Sequence, residues 1–161
     1  IRTLIKSKAN IYTIDTSVGW IKRIKKYTII KKNLNSRIFI YHVDVGPTIH
    51  WGFPAGEEFR EKFPGYSSEI FTKVNKKNID TVLIDGRFRV ACTLNTILEL
   101  HENEKLKIMI HDFWDREKYH IVLKYLDVID SAERLGVFKI KNQVNLDLVR
   151  KDYEKYKYNY A

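Results

Sequence analysis

The sequence predicts an α/β fold, with a mostly parallel sheet, helices on both faces and an antiparallel hairpin at the C-terminal side. Three observations carry that expectation. The runs Thr81-Val-Leu-Ile-Asp-Gly-Arg87 and Lys107-Ile-Met-Ile-His-Asp112 are short and apolar without polar alternation, as strands covered on both faces are, and each stops at a carboxylate. Between them, Val90 to Leu100 has the pattern of a helix, which makes the three segments a β-α-β unit. Right-handed crossover sets the two strands parallel, so Asp85 and Asp112 belong at their carboxyl ends, where open α/β sheets bind ligands.

The remaining elements follow in chain order. Ile1 to Lys8 reads as the end of a helix, with Ile1, Leu4 and Ile5 at helical spacing, and Asn10 to Asp15 as a short strand. Thr16 or Ser17 can cap a helix that carries Val18, Ile21 and Ile24 on one face and runs to about Tyr27. Arg37 to Val45 is the next strand, closed by Gly46-Pro47, with Asp44 near its end. Pro47 to Tyr66 reads as a loop holding Trp51, Phe53, Phe59, Phe63 and Tyr66, and long ordered loops of this kind serve as lids or binding loops. Those aromatics can instead form a small satellite core. Ser67 or Ser68 starts a helix to about Lys77, which leads into the Thr81 strand. After the Lys107 strand come a helix from Arg116 to Tyr125 and a hairpin from Leu126 to Lys141 turning near Arg134 to Gly136. The tail from Asn145 is helical, with Leu146, Val149, Tyr153 and Tyr156 on one side.

Bulk composition bounds the function classes. The 161 residues suit a single domain with a proper core, and 44% hydrophobic and 13% aromatic residues argue against disorder. No apolar run approaches the roughly 18 residues that span a bilayer. One cysteine, Cys92, cannot form an internal disulfide, which fits a reducing, cytoplasmic compartment. The chain starts at Ile1 and its only methionine is Met109, so it reads as part of a longer polypeptide. A net charge of +9 favours acidic partners such as nucleic acid or phosphorylated sugars. The lysines are nevertheless scattered as on solvated helix faces, and the tyrosines and lysines of the tail suit a docked helix better than a nucleic-acid surface.

The motifs Ile84-Asp-Gly-Arg-Phe-Arg-Val90, His111-Asp112-Phe113 and Tyr119-His120 follow Ile14-Asp-Thr16 and Val43-Asp-Val-Gly-Pro47. In that order and spacing the chain resembles the class I S-adenosylmethionine-dependent methyltransferases, within them a branch of small Rossmann-like domains acting on small molecules or sugars. The resemblance runs from about Ile1 to Lys141. It implies that Asp15, with Thr16 beside it, accepts hydrogen bonds from the cofactor ribose, and that Asp44 and its neighbour Val45 lie by the adenine. Trp51 in the aromatic loop suits stacking on adenine or a sugar ring. Asp85 would face the methionine part of the cofactor and the acceptor, with His111 and Asp112 beside it. The family's first strand and glycine-rich loop are not seen, so the domain is expected to be N-terminally incomplete, with that strand upstream.

The resemblance implies methyl transfer to a hydroxyl of a small molecule or glycan sugar, an acceptor whose proton a base must remove. Asp85, His111 and Asp112 are the candidates for that base, since an imidazole or a tuned carboxylate serves near neutral pH. Asp85 and Asp112 can instead hold Mg²⁺ or Mn²⁺, lowering the pKa of a sugar hydroxyl. Each aspartate also suits a helix N-cap just after a strand, and His111 a structural role. Arg87 and His120 are candidates for acceptor binding, whereas Arg89, a step into the helix, suits structural pairing. The rivals are a non-enzymatic Rossmann-like module fused to another domain, binding a nucleotide or partner, and a nucleic-acid methyltransferase.

Overall fold

The expected Asn10–Asp15 strand forms as β1, Ile11–Asp15, in the computed structural model, which describes residues 9–160. The helix expected over Ile1 to Lys8 lies outside the described residues. β1 pairs in parallel with β2, Ile38–His42, in a register running from Ile11 opposite Ile38 to Asp15 opposite His42. Two helices make the crossover. The first, α1 (Val18–Ile24), is capped by Ser17, whose Oγ accepts from the Trp20 N–H at 3.1 Å. The second, α2 (Thr28–Asn33), was not anticipated, because its six residues include two isoleucines and no side-chain cap. Ile21 and Ile30 are the buried positions of the pair, while Val18 stays exposed.

The Pro47–Tyr66 segment is more structured than a loop. A helix, α3 (Phe63–Ser68), begins inside it with Pro64 in the first turn, where a missing N–H costs nothing. Ser67 and Ser68, expected to start a helix, sit at its end instead, both hydroxyls donating back to the Pro64 carbonyl at 3.0 and 2.9 Å. A single turn, α4 (Ile70–Lys73), follows and stops well short of Lys77. The aromatics divide between the two roles open to them. Phe63 is buried, whereas Trp51 is 78% exposed in a short 3₁₀ turn, His50–Gly52.

The β-α-β unit forms as the sequence predicts. β3 (Thr81–Ile84) and β4 (Lys107–Ile110) are parallel, connected by α5 (Arg89–Leu100), whose Val90, Ala91, Leu94, Ile97 and Leu100 are buried. The hairpin of β5 (Leu126–Ala132) and β6 (Leu135–Ile140) also forms, with its turn at Glu133 and Arg134 rather than in the following residues. β6 lies antiparallel between β4 and β5, giving the order β3-β4-β6-β5. Phe113 and Phe138 meet edge to face, 4.7 Å between centroids, in the core below β4 and β6. Gly136 allows that packing, since a Cβ there would fall 2.4 Å from the Phe138 ring. The expected Arg116–Tyr125 helix is a 3₁₀ helix, Glu117–Lys124. A last helix, α6 (Leu146–Tyr156), is capped by Asn145 and tied by Tyr125, whose hydroxyl donates to Asp152 at 2.7 Å.

The sheet differs from the single, mostly parallel one expected. Among the described residues there are two sheets, β1-β2 and β3-β4-β6-β5, with two parallel and two antiparallel pairings. The chain divides correspondingly into two compact units, Ile1–Val74 and Asn75–Ala161. No described helix is long and apolar enough to cross a membrane.

Candidate active site

Parallel pairing of β3 and β4 brings the residues that follow them to one edge of the second unit. Asp85 comes directly after β3, and His111 and Asp112 directly after β4. The His111 N–H donates to the Ile84 carbonyl at 3.0 Å, so the two strand ends remain in step beyond the ladder. Both chains then leave through left-handed backbone. Asp112 has φ +51°, which aspartate tolerates, whereas Phe88 has φ +53°, which a bulky residue rarely adopts. The Phe88 ring is buried at the head of α5, and that burial holds the turn.

Arg89 fastens the two strand ends together. Its side chain is 3% exposed, and its guanidinium donates to the carbonyls of Gly86, at 2.9 Å, and His111. The same group lies 3.5 Å from Asp85 Oδ1 and 3.4 Å from Asp112 Oδ2, and stands over the Tyr119 ring. A buried guanidinium is tolerable only with such a complete set of acceptors. Arg89 is thus the structural pair that its place in the helix suggests.

The two aspartates have different surroundings. Asp112 is 13% exposed, with Arg116 3.5 Å from Oδ2 and Arg134 3.4 Å from Oδ1 in addition to Arg89. Burial pushes its carboxyl pKa up, but His111 and then Arg89, Arg134 and Arg116 outweigh that and hold it below the usual carboxylate range. It is a fixed anion at neutral pH and a weak base. Asp85 is 56% exposed, and its Oδ1 lies 2.9 Å from His111 Nδ1. The ring nitrogen does not point along that line and makes no aligned hydrogen bond, so the close approach is an electrostatic contact rather than a formed bond. Asp112 Oδ1 is 3.4 Å from the same nitrogen. An imidazole beside two carboxylates can accept a proton, with Asp85 and Asp112 stabilising the cation that results.

The carboxylates do not suit a metal ion. Asp112 already has three guanidinium neighbours, which would repel a dication, and no group of three His, Cys, Asp or Glu side chains among the described residues is placed to hold one. The Mg²⁺ or Mn²⁺ alternative at Asp85 and Asp112 therefore lapses. Cys92 is no nucleophile either, since burial pushes its thiol up to about 12. His120 packs against Phe113, with Nε2 3.1 Å from the Phe113 carbonyl, and Arg87 is half-buried on the turn between β3 and α5.

The first unit has its own carboxyl edge, at the ends of β1 and β2. Asp15 Oδ1 accepts from the Ser17 N–H at 2.7 Å, and Oδ2 has no hydrogen-bond partner among the described residues. The His50–Gly52 turn passes close by: a Cβ on Gly52 would lie 3.5 Å from Thr16 Oγ1, next to the exposed ring of Trp51. Asp44 is engaged elsewhere, taking the Gly46 N–H at 2.9 Å and Lys62 Nζ at 2.7 Å, which hold its carboxyl below the usual range. Val45 is buried, so only its backbone is available to a ligand. Asp15, Thr16 and Trp51 are therefore gathered at one edge, with Asp44 turned to a lysine.

Sequence reading missed Arg116 and Arg134. Arg116 had a signal in its spacing of four from Asp112, but Arg134 reaches Asp112 only because the hairpin folds back beside β4.

No family model and no curated protein matches the sequence. A solved structure matches in fold. The chain is similar in fold to a methyltransferase-like protein of Silicibacter pomeroyi, with a TM-score of 0.75 and 22% identity over 94% of this chain and 80% of that one. The chain has a methyltransferase-like α/β fold.

Proposed function

We propose that this protein is an S-adenosylmethionine-dependent methyltransferase that methylates a hydroxyl of a small molecule or glycan sugar. The observation that carries the reading is the exposed Asp85–His111 pair at the carboxyl edge of β3 and β4, in a fold shared with a methyltransferase-like protein. S-Adenosylmethionine would supply a methyl group on a cationic sulfur, open to direct displacement. For its part, the chain must orient the acceptor oxygen and take its proton, which positioning and general-base catalysis achieve. His111 receives that proton, Asp85 steadies the imidazolium, and Asp112 keeps Arg89, Arg116 and Arg134 in place around the site. The free oxygen of Asp15 suits ribose hydroxyls, because a carboxylate accepts from both. Thr16 and the Trp51 ring suit the rest of a nucleoside, the ring by stacking on adenine.

Calorimetric titration with S-adenosylhomocysteine tests the reading. Binding is expected at micromolar Kd, about −8 kcal/mol, and should be lost in Asp15→Ala. Absence of binding to the wild-type protein would reject methyl transfer and favour a module that binds a partner without chemistry.

A further inference from the structure

The crossover of the first unit carries charge of one sign. From Thr16 to Val43 the sequence has no aspartate or glutamate, while Lys22, Arg23, Lys25 and Lys26 fall on or just after α1 and Lys31 and Lys32 on α2. Ile21 and Ile30 are the buried positions of these helices, so the charged side chains are left on the outer side. Lys22, Arg23 and Lys26, three and four residues apart, share the side of α1 turned away from Ile21. Among the described residues none of the six has a carboxylate within ion-pair distance or a side-chain hydrogen bond. Lysines elsewhere do find acids: Lys62 pairs with Asp44, Lys124 with Asp152 and Lys139 with Asp127. A solvated helix face ordinarily mixes the two signs, because like charges four apart destabilise a helix and opposite ones support it. The helix dipole accounts for cations in a last turn, but it equally favours acids in a first turn, and neither helix has one there. Two exposed rings are interleaved with the charges. Trp20 is 47% exposed, with the Arg23 guanidinium 5.5 Å from its ring centroid, and Tyr27, 54% exposed, stands at the junction of α1 and α2.

We infer that the outer side of α1 and α2 docks a single-stranded nucleic acid, its phosphates on the six cations and its bases on Trp20 and Tyr27. A strand of phosphates complements a surface of one positive sign, and release of its counterions supplies affinity. A duplex hides the faces of its bases, whereas an open strand offers them to exposed rings, where stacking adds to the charge. A lipid surface fits less well, because the buried isoleucines of α1 and α2 already face the core and neither helix has an apolar stripe left to enter a bilayer. The docking face is on the helices, whereas the candidate base and ribose-binding carboxylates follow strand ends. It therefore goes beyond the proposed methyl transfer and does not depend on it.

Fluorescence anisotropy of a labelled oligothymidylate, titrated with the full chain over a salt series, tests the docking. Binding should weaken steeply with salt, at a log–log slope of about 0.7 per phosphate contacted. Replacing Lys25, Lys26, Lys31 and Lys32 together by glutamine should weaken it by at least about tenfold and flatten that slope. Replacing the exposed Lys105, Lys139, Lys151 and Lys155 together by glutamine removes the same charge from the second unit and should leave binding unchanged. Absence of binding to the wild-type protein, or equal loss in both variants, would overturn the docking face. Trp20→Ala should weaken oligothymidylate binding about tenfold through lost stacking, and leave binding to heparin, a polyanion without bases, as it was. An equal effect on both ligands, or none on either, would overturn the nucleic-acid assignment. Tighter binding to vesicles containing phosphatidylserine than to oligothymidylate would overturn it in favour of a lipid surface.

Discussion

The two units each present aspartates at the end of a parallel strand pair, yet they hold them differently. In the second unit Asp112 is nearly enclosed, with guanidinium groups from the head of α5, the segment after β4 and the β5–β6 turn. In the first unit Asp44 lies in the open, with Lys62 for its ion pair and the Gly46 N–H for its hydrogen bond. One carboxylate is held by three guanidinium groups, two of them from segments distant in sequence, and the other by a single exposed lysine and a backbone N–H. The contrast separates structure from availability: a locked aspartate organises, and an exposed one such as Asp85 stays accessible beside His111.

That comparison can be broken most sharply at the base. His111→Ala should lower turnover by about 10²–10⁴-fold while leaving S-adenosylhomocysteine affinity intact, as steady-state kinetics and calorimetry together would register. Retained turnover would move the proton transfer away from this edge. A similar contrast in stability comes from the arginine and lysine. Arg89→Ala takes one of three guanidinium partners from Asp112 and the donor from the carbonyls of Gly86, His111 and Asp85, and should cost about 3–5 kcal/mol in denaturant unfolding, whereas Lys62→Ala removes an exposed partner and should leave the midpoint unchanged. Equal losses would show that the two sites are held alike.

The smallest effect is in acid. Because the Asp112 pKa is lowered in the folded state, the unfolded chain binds the proton more readily. Its contribution is therefore full above the unfolded value of about 4 and is lost as pH falls through the lower folded value. Asp112→Asn should flatten the stability curve below about pH 4 relative to wild type in acid titrations followed by circular dichroism. A curve of unchanged slope would remove Asp112 from the locked network.

How much of this was legible in the sequence depended on distance along the chain. The β3-α5-β4 unit was visible because apolar runs, a helical period and a right-handed crossover are local rules, and they place Asp85 and Asp112 at one edge without further information. The Ser17 cap, one of two candidates beside Thr16, was legible for the same reason. Less so was the segment before β3. Ser67 and Ser68 look like helix starts, yet Phe63, buried beneath the loop, pulls the helix forward and leaves them at its end.

By itself, the sequence determined the α/β class, the parallel pair with its carboxyl edge and the residue types gathered there. Tertiary structure decided the partition of those residues into a locked aspartate and an exposed aspartate–histidine pair. The reason is physical. A strand's hydrophobic pattern is written in neighbouring residues, whereas the charge state and freedom of Asp112 are set, beyond the nearby Arg116, by Arg89 and Arg134, which come from two other segments that only folding brings within 3.5 Å of it.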